Sequence, residues 1–343
     1  MALIISKLKA NHHPDWDNYV GLKQTSIYHD SRWAQLIKKV FGHDSHYLMA
    51  TDNDKVVGIF PMIQLKSLLF GNFMVSMPYF NYGGIVADSH EVMNSLISSA
   101  HKLYVELGCT HIEMRFDREQ ALELPVRTDK VAVMLDLPDD PDELWQAIGS
   151  KRRAQIKRPI REGIEFISGG AELLDDFYYV FSINMRDLGT PVYSKQFFKE
   201  ILSTFNQNTF IAVARLNGEA VGAGFLIGNN GKLEIPWAST LRKVNRLGVN
   251  MFLYWNILKL AIEKNFQVFD FGRSSKDAGT LKFKKQWGGY EKQLYWYYDL
   301  PVGESLPDLN PRSAKFETAI SVWKKIPVTI TNFIGPSIVK NLP

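Results

Sequence analysis

Cysteine is nearly absent from this sequence, since Cys109 is the only one among 343 residues. A disulfide within the chain is therefore excluded, and so is a zinc site built on paired cysteine ligands. The eight histidines show neither an HExxH spacing nor an acidic cluster that would complete a site. We expect Cys109 to be a small core residue and the protein to hold no metal.

Long apolar runs are absent as well. At the N-terminus only Leu3, Ile4 and Ile5 form such a run, too short for the apolar core of a signal peptide, and no later segment reaches about 18 uninterrupted apolar residues. The net charge of +4 is compatible with anionic partners, but the chain lacks the dense basicity of a dedicated nucleic-acid binder. These absences predict a cytoplasmic protein that does not span a membrane.

Apolar and aromatic residues are plentiful, at 45% and 13% of the chain. That content is ample for packed cores, and 343 residues suit two domains. Prolines punctuate residues 138–141, and Pro141 opens a helix whose first turn is acidic. The predicted segments are a first domain at 1–140, a basic linker helix at 141–165, a second domain at 166–300 and a helical tail at 301–343.

The two halves of the chain follow one pattern at a separation of roughly 160 residues. Residues 47–63 and 210–227 each contain an apolar run, a polar turn and a second apolar run, with Asn217-Gly218 at the second turn. Both predict β-hairpins. A helix and a strand follow each hairpin, at 92–107 and 111–116 in the first half and at 250–264 and 267–271 in the second. The pattern predicts two copies of one α/β unit, with Glu113 and Asp270 at matching points.

The linker segment 150–163 is rich in arginine and lysine. Arg153, Lys157 and Arg161 are spaced four apart and would share one helix face. Pro159 is expected to kink or interrupt this helix. Two interpretations stay open: a solvated amphipathic helix, or an anion clamp that faces a groove between the halves, where ligand sites often form.

The last strand of the second half runs into glycines and a basic cluster within residues 268–290. Gly272 and Gly279 permit backbone conformations that other residues resist. The basic residues around them are Arg273, Lys282, Lys284 and Lys285. Such a cluster at a strand end suits a phosphate, a carboxylate or a developing oxyanion, and the alternative is a solvated basic loop.

One known acyl-transfer fold requires a particular glycine-containing loop in this part of the second half. In the acetyltransferase fold of the GNAT type, a Q/R-x-x-G-x-G/A loop before a helix presents N–H groups to the pyrophosphate of coenzyme A. Residues 245–250 occupy that position and match a single glycine, Gly248, with asparagine at both ends. The departure puts the close approach of a pyrophosphate in doubt. Arg246 and Gly248 are the candidates for contact with the coenzyme.

Six short motifs, spread over most of the chain, carry a family resemblance. They are FGH at 41–43, PYFNYGG at 78–84, NMRDLGTP at 184–191, PWAS at 236–239, DFGRSS at 270–275 and FKKQWG at 283–288. Together they are similar to the FemAB-like branch of tandem GNAT proteins, in particular the type associated with exosortase and exopolysaccharide gene clusters.

The resemblance implies an α/β (α+β) fold of two tandem GNAT-like domains, with a substrate groove between or beside them. Better known FemAB-type enzymes transfer an amino acid from aminoacyl-tRNA to the peptide of a peptidoglycan precursor, and their coenzyme A loop has degenerated. In that family a Phe-Lys pair after the last core strand binds the substrate's phosphate or stabilises the transition state. Phe283 and Lys284 match the pair. Because the long helical arm of some relatives is missing here, the donor substrate stays open between aminoacyl-tRNA and acyl-CoA, and no further cofactor is required.

Acyl transfer to an amine needs an aligned nucleophile, a path for its proton and positive or N–H groups at the carbonyl oxygen. The sequence contains no G-x-S-x-G elbow, and Cys109 has no evident histidine partner, so we favour direct attack by the acceptor. Lys284 is the first candidate for the oxyanion or phosphate, and Arg273 is the second. Asp270 or Asp187 is the best carboxylate for the amine proton, although either could be a turn cap or an ion pair.

A second group of side chains would bind substrate. Tyr79, Asn81 and Tyr82, in a glycine-rich loop, could stack on a sugar or bind its hydroxyls, or could serve packing alone. The remaining candidates are Arg153, Lys157, Arg186, Asp187, Trp237, Ser274, Ser275, Lys285 and Trp287.

The sequence thus predicts an aminoacyl- or acyltransferase that forms an amide on an amine of a sugar-nucleotide, peptidoglycan or exopolysaccharide precursor. The acceptor would be a sugar nucleotide or a lipid-linked saccharide. Two alternatives stay open: an acetyl-CoA-dependent N-acetyltransferase acting on an amino sugar, and a non-catalytic carbohydrate-binding accessory protein on the same fold.

The chain changes character after Pro301. A helix is predicted at 312–325, and residues 326–343 stay apolar apart from Lys340. A helix laid on the protein's own surface is the first interpretation. Peripheral contact with the inner face of a membrane is the second, and it suits a lipid-linked acceptor.

Overall fold

The computed structural model describes residues 3–276, 278–307 and 314–342, with the side chains of 314–316 left out. The chain forms two compact units, each discontinuous in sequence. The first unit comprises residues 1–131, 293–308 and 340–343, and the second comprises 132–292 and 309–339. The division into four sequence segments proposed above stays a prediction.

Strands and helices alternate along the described residues. The strands are β1 (Ile4–Lys7), β2 (Asp44–Ser45), β3 (Leu48–Asp52), β4 (Lys55–Phe60), β5 (Ile63–Ser67), β6 (Gly71–Val75), β7 (Val86–Ala87), β8 (Ile112–Phe116), β9 (Val126–Arg127), β10 (Lys130–Asp136), β11 (Ile164–Gly169), β12 (Thr209–Leu216), β13 (Glu219–Asn229), β14 (Lys232–Thr240), β15 (Val268–Ser275), β16 (Tyr290–Gln293) and β17 (Tyr295–Asp299). The α-helices are α1 (His13–Leu22), α2 (Arg32–Phe41), α3 (His90–Glu106), α4 (Pro141–Ala147), α5 (Gly149–Arg161), α6 (Leu174–Leu188), α7 (Lys195–Thr204), α8 (Val249–Glu263), α9 (Gly279–Lys285), α10 (Ala314–Trp323) and α11 (Val328–Val339).

The first unit contains two sheets, with strand orders β1-β3-β4-β7 and β2-β5-β6-β8-β17-β9. Helix α3 covers its core because Leu96, Ala100 and Leu103, spaced three and four apart, lie on one buried face. They pack in one cluster with Phe60 and Met114. Strands β6 and β8 are parallel, and β17 lies antiparallel to β8 on its other side.

The second unit is built on one seven-stranded sheet, with strand order β11-β12-β13-β14-β15-β10-β16. Because side chains alternate along a strand, β13 directs Phe225 to one face, where it meets Phe177 of α6. Gly222 and Gly224 lie on the opposite face, and a Cβ on Gly224 would meet Ile257 of α8 at 3.1 Å. The two glycines therefore let α8 approach the sheet closely, with α6 on the other side.

Both predicted hairpins are confirmed, and the two hairpins are more alike in structure than their sequence patterns indicate. The turn residues Asn53 and Asp54 have positive φ, as do Asn217 and Gly218, which is the geometry of a tight two-residue hairpin turn. In each hairpin the strand register shifts just beyond the second residue pair from the turn. The predicted helices and strands after the hairpins correspond to α3, β8, α8 and β15.

Two local predictions needed correction. Helix α5 continues through Pro159 to Arg161, so the predicted interruption is wrong. The tail predicted as helical at 301–343 contains a second helix, α11, whose bounds we did not predict, while α10 matches the predicted helix, whose residues 312 and 313 lie outside the described residues. Helix α11 packs on the second unit, where a Cβ on Gly335 would lie 3.0 Å from the backbone nitrogen of Val192.

Candidate active site

Strand β15 carries a fully buried carboxylate, Asp270, whose relative exposure is 0%. One of its oxygens accepts a hydrogen bond from the backbone N–H of Gly272 at 2.8 Å, and the other lies 3.3 Å from the ammonium of Lys232. Gly272 has φ +72°, a conformation that favours glycine. The parallel register of β14 and β15 sets Glu234, also buried, beside Asp270. Asp270 is therefore held by a turn and an ion pair.

Lys284 on α9 reaches back to the end of β15. Its ammonium donates to the carbonyl oxygens of Gly272 at 2.9 Å and Arg273 at 2.8 Å. Burial, which leaves the residue 8% exposed, lowers the pKa of Lys284 to about 8, and the charge of Arg273 acts in the same direction, whereas the carboxylates of Asp270 and Glu234 oppose the change. Near neutral pH this lysine is a cation that gives up its proton far more easily than an exposed lysine.

An aromatic cluster fixes α9 against α8. The ring of Phe283 meets Tyr254 edge to face at 5.0 Å, and Trp287 lies 6.4 Å from both rings. Trp287 is buried, and its indole N–H has no hydrogen-bond partner among the described residues; the hydroxyl of Ser274 is likewise buried without one. Unsatisfied buried donors are uncommon and often face a ligand or water site.

Two cavities meet at Gln286, on the surface of the same unit. The smaller measures about 400 Å³ and opens at the start of α8. Its lining residues are Gln155, Thr240, Asn245, Gly248, Asn250, Met251, Phe283 and Gln286. The larger measures about 630 Å³ and is lined by the end of β10, by α4 and the start of α5, and by residues 285–288, which include Lys285 and Trp287.

Helix α5 covers part of the position where a GNAT loop would hold a pyrophosphate. Gly248, with φ +81°, precedes α8 and lies so close to α5 that a Cβ on it would be 3.4 Å from the carbonyl oxygen of Gln155 and 3.9 Å from the ring of Pro159. Pro159 has no N–H, so the Gln155 carbonyl lacks its usual partner in the helix. Of the two candidates for coenzyme contact, Gly248 lines the cavity and Arg246 is exposed outside its lining.

The basic face of α5 turns toward α4. The guanidinium of Arg153 donates to the carbonyls of Trp145 and Gln146 at 3.1 Å each, and the ammonium of Lys157 lies 5.8 Å from the Trp145 ring. Neither residue lines a cavity described above. These two candidates therefore contact the end of α4, and they line neither cavity.

The motif at 184–191 forms its own cluster. Arg186 donates to Asp187 at 2.7 Å and to the carbonyl of Ile326 at 3.3 Å, and Arg242 donates to the Asp187 carbonyl at 2.7 Å. Trp237 packs among aromatic rings, with Phe198 at 5.1 Å. Asp187 is thus engaged as an ion pair, and Trp237 is a core residue.

The three loop candidates of the first unit are buried. Tyr79, with φ +74°, donates its hydroxyl to the carbonyl of Lys340 at 2.7 Å and packs on Phe41 at 4.6 Å. Asn81 and Tyr82 are 8% and 4% exposed. Packing accounts for these side chains, and the role in sugar binding stays a prediction.

Sequence reasoning missed four residues that the structure brings to the site: Gln155, Glu234, Tyr254 and Gln286. Glu234 had a signal, since it alternates with apolar residues of a buried strand. Gln286 lies within the motif at 283–288, whereas Gln155 and Tyr254 carry no local signal, because their positions depend on how α5, α8 and α9 pack. Among the residues described, no group of histidine, cysteine, aspartate and glutamate side chains could hold a metal ion.

Residues 150–285 match the family model of the acetyltransferase (GNAT) domain, which covers α5, the loop at 245–250 and α9. A solved tandem GNAT protein from the clavulanic acid biosynthesis pathway is similar over 89% of this chain and 100% of its own, at a TM-score of 0.57 and 11% identity. The fold prediction is confirmed: the protein has two tandem GNAT-like domains, the second of which is an acetyltransferase-type domain.

The more particular likeness is to the Fem proteins. The crystal structure of FemX is similar over 85% of this chain and 97% of its own, at a TM-score of 0.65 and 14% identity. The UDP-N-acetylmuramoylpentapeptide-lysine N(6)-alanyltransferase of Weissella viridescens is 25% identical over 162 residues, which are 45% of this chain and 48% of the relative. The chain thus spans about half the length of this curated relative, and its fold is that of a FemAB-like tandem GNAT protein.

Proposed function

We propose that this protein is an acyltransferase that forms an amide on an amine of a sugar-nucleotide, peptidoglycan or exopolysaccharide precursor. The observation that carries the proposal is Lys284, which is buried, has a pKa lowered to about 8 and directly follows Phe283, a residue that lines the smaller cavity. The likeness to an alanyltransferase supports transfer of an aminoacyl group.

Lys284 is proposed to stabilise negative charge. A lysine ammonium has three donors, and two of them bind the Gly272 and Arg273 carbonyls, so a third remains for a phosphate or for the oxygen that becomes negative when the amine attacks. The two carbonyl bonds hold the ammonium in place before the substrate arrives, which is the condition for electrostatic catalysis. Phe283, at the cavity wall, would position the acyl group and exclude water.

As the amide forms, the amine loses a proton, and the bond from the acyl carbon to the donor breaks, so the tRNA hydroxyl or the coenzyme A thiol leaves and takes up a proton. Asp270 is fully buried and bound to Gly272 and Lys232, so its proposed role is to support the charge of the Lys284 region rather than to take the amine proton directly. A neutral Lys284, accessible because of its pKa near 8, is the alternative acceptor. The two roles predict opposite pH dependences.

Aminoacyl-tRNA is the proposed donor. The support is the close packing of α5 on Gly248, which narrows the space that a pyrophosphate of coenzyme A would need. A second candidate function, acetyl-CoA-dependent N-acetylation of an amino sugar, is favoured by the cavity of about 400 Å³ that remains at the start of α8. A lipid-linked saccharide and an exopolysaccharide precursor remain proposals for the acceptor, as does action at the inner face of the membrane.

The test is incubation of the protein with UDP-N-acetylmuramoyl-pentapeptide and either alanyl-tRNA or acetyl-CoA, followed by mass spectrometry of the acceptor. We expect an added alanyl mass with the first donor, and about a hundredfold or more slower product formation with Lys284→Met. Lys282→Met is the matched control, because Lys282 is an exposed lysine of the same helix. Tight binding of acetyl-CoA, measured by calorimetry, would favour the second function. If Lys284→Met formed product as fast as the unchanged protein, Lys284 would not have the proposed role in stabilising negative charge.

A further inference from the structure

Helix α11 is unusual in carrying no charged residue. Residues 326–339 contain no Asp, Glu, Lys or Arg, although the helix lies on the outside of the second unit. A surface helix of a globular protein normally exposes a polar, charged face. An uncharged helix at the surface therefore needs an explanation for the face that does not touch the protein.

The inner face of α11 is accounted for. Thr331, Gly335 and Val339 are buried and spaced four apart, so they form one stripe along the helix. Gly335 allows the helix to approach the backbone at Val192, and α11 also contacts α6. This face fixes the helix to the second unit.

The outer face is open to solvent and carries two large apolar side chains. Phe333 is 84% exposed and Ile330 is 49% exposed, and the small polar residues Thr329 and Ser337 beside them are exposed as well. Single exposed apolar residues are ordinary, but here they occur in a segment that has no charged side chain to keep it solvated. Leaving a phenylalanine in water costs the free energy that burying it elsewhere would recover.

Positive charge precedes this face along the chain. Lys324 and Lys325, both exposed, lie between α10 and α11. Residues 318–339 contain these two lysines and no acidic residue. Apolar side chains preceded by lysines match the interface of an anionic bilayer, where the apolar groups enter the acyl boundary and the lysines meet the head groups.

We propose that the outer face of α11, with the exposed side chains of Ile330 and Phe333 and the preceding Lys324 and Lys325, is a docking surface for an anionic phospholipid bilayer. The helix would lie in the plane of the interface. None of the helices in the described part of the chain is long and apolar enough to cross a bilayer, and α11 itself has 12 residues. The inference concerns binding alone and is independent of acyl transfer.

The test uses the full chain and extruded vesicles, either of phosphatidylcholine alone or of phosphatidylcholine with phosphatidylglycerol, in a flotation assay. We expect the protein to float with the anionic vesicles and to be released by high salt, because exposed charges are screened. Phe333→Ser should weaken partitioning about tenfold or more, as expected when a large apolar group is removed from the interface. Replacing Lys324 and Lys325 with Gln should weaken it about fivefold for each lysine.

Leu22→Ser is the matched control, since Leu22 on α1 is 73% exposed and lies outside this face. It should leave flotation unchanged. Thermal unfolding of each variant shows whether the fold is retained. The proposal fails if the protein does not float with anionic vesicles, or if Leu22→Ser weakens binding as much as Phe333→Ser. It also fails if light scattering reveals a dimer that Phe333→Ser disrupts while vesicles are not bound, since the face would then cover a second copy of this chain.

Discussion

In the described part of the chain, each unit buries a cation near a parallel pair of strands, and the two cations are held in different ways. In the first unit, Arg115 is 1% exposed, donates to the Glu113 carboxylate at 2.7 Å and to the carbonyl of Phe80 at 2.6 Å, and stacks on Trp296. In the second unit, both hydrogen bonds of the Lys284 ammonium go to backbone carbonyls, and a third donor remains. One charge is fully paired, and the other is held in position without a direct carboxylate partner.

The difference separates a structural charge from a chemical one. Burial alone would raise the pKa of the Glu113 carboxyl, but the charge of Arg115 and the hydrogen bonds from Tyr298 and Arg115 outweigh it, and the pKa lies below its ordinary value. That network pairs its buried cation directly with a buried carboxylate. The pKa of Lys284, lowered to about 8, brings its proton within reach of physiological pH, as is common at functional sites.

The strongest way to break the comparison is Arg115→Met. It leaves the Glu113 carboxylate buried without its partner, and breaking a buried pair in this way costs about 3–5 kcal/mol. Urea unfolding should report a loss of that size. The double variant Glu113→Leu/Arg115→Met should recover most of the loss, because no unpaired charge remains. A small loss of stability in the single variant would show that Arg115 is no more a structural charge than Lys284 is.

Lys284→Met should have the opposite effect, with a large loss of activity and little change in stability. If the ammonium stabilises the transition state, its removal should lower kcat by about 10²- to 10³-fold, which corresponds to about 2.7–4 kcal/mol. Unfolding in urea should change little, since the desolvation penalty of the buried charge is removed together with its two hydrogen bonds. Lys282→Met, on the same helix, should retain full activity. Equal losses in both variants would point to a disturbed helix α9 instead.

A pH titration separates the two roles of Lys284. If its charge is required, kcat/KM should fall as pH rises through about 8; if its neutral form accepts the amine proton, kcat/KM should rise there. The free energy of unfolding should rise with pH in either case. Below about pH 8 the folded and unfolded states both hold this proton, and above it the unfolded state holds more, so the free energy of unfolding should gain up to about 1.4 kcal/mol per pH unit until the ordinary lysine pKa is reached. Lys284→Met should lack that gain.

Much of the fold follows from local patterns. The hairpin dipeptides, the helix periodicity and the strand before Gly272 each depend on residues close in sequence, and the structure places them as expected. The path of β10 into the sheet of the second unit depends on pairing with β15, more than 130 residues away, and no local pattern reports such pairing. The bounds of helix α11 were missed because its apolar residues surround the helix and Pro336 lies inside it.

The site was partly predictable for the same reason. Lys284 and Phe283 were found from a short motif, whereas the hydrogen bonds of Lys284 to two carbonyls depend on the positive φ of Gly272 and on the packing of α9. Arg153 and Lys157 have the right spacing for an anion clamp, but spacing does not say which neighbour the face meets, and here it meets Trp145. Burial decides which side chains can act, and composition alone does not reveal it.

The two hairpin turns give the smallest test of the repeat. Asp54 has φ +61° at the position where the second hairpin has Gly218 with φ +81°. An L-residue in this left-handed region costs about 1–2 kcal/mol, although aspartate tolerates it better than most residues, and glycine also raises the entropy of the unfolded chain. Asp54→Gly should therefore stabilise the first unit by at most about 1 kcal/mol, and Gly218→Asp should destabilise the second by a similar amount. Changes of the same sign in the two variants, measured by urea unfolding, would mean that the turns are not equivalent.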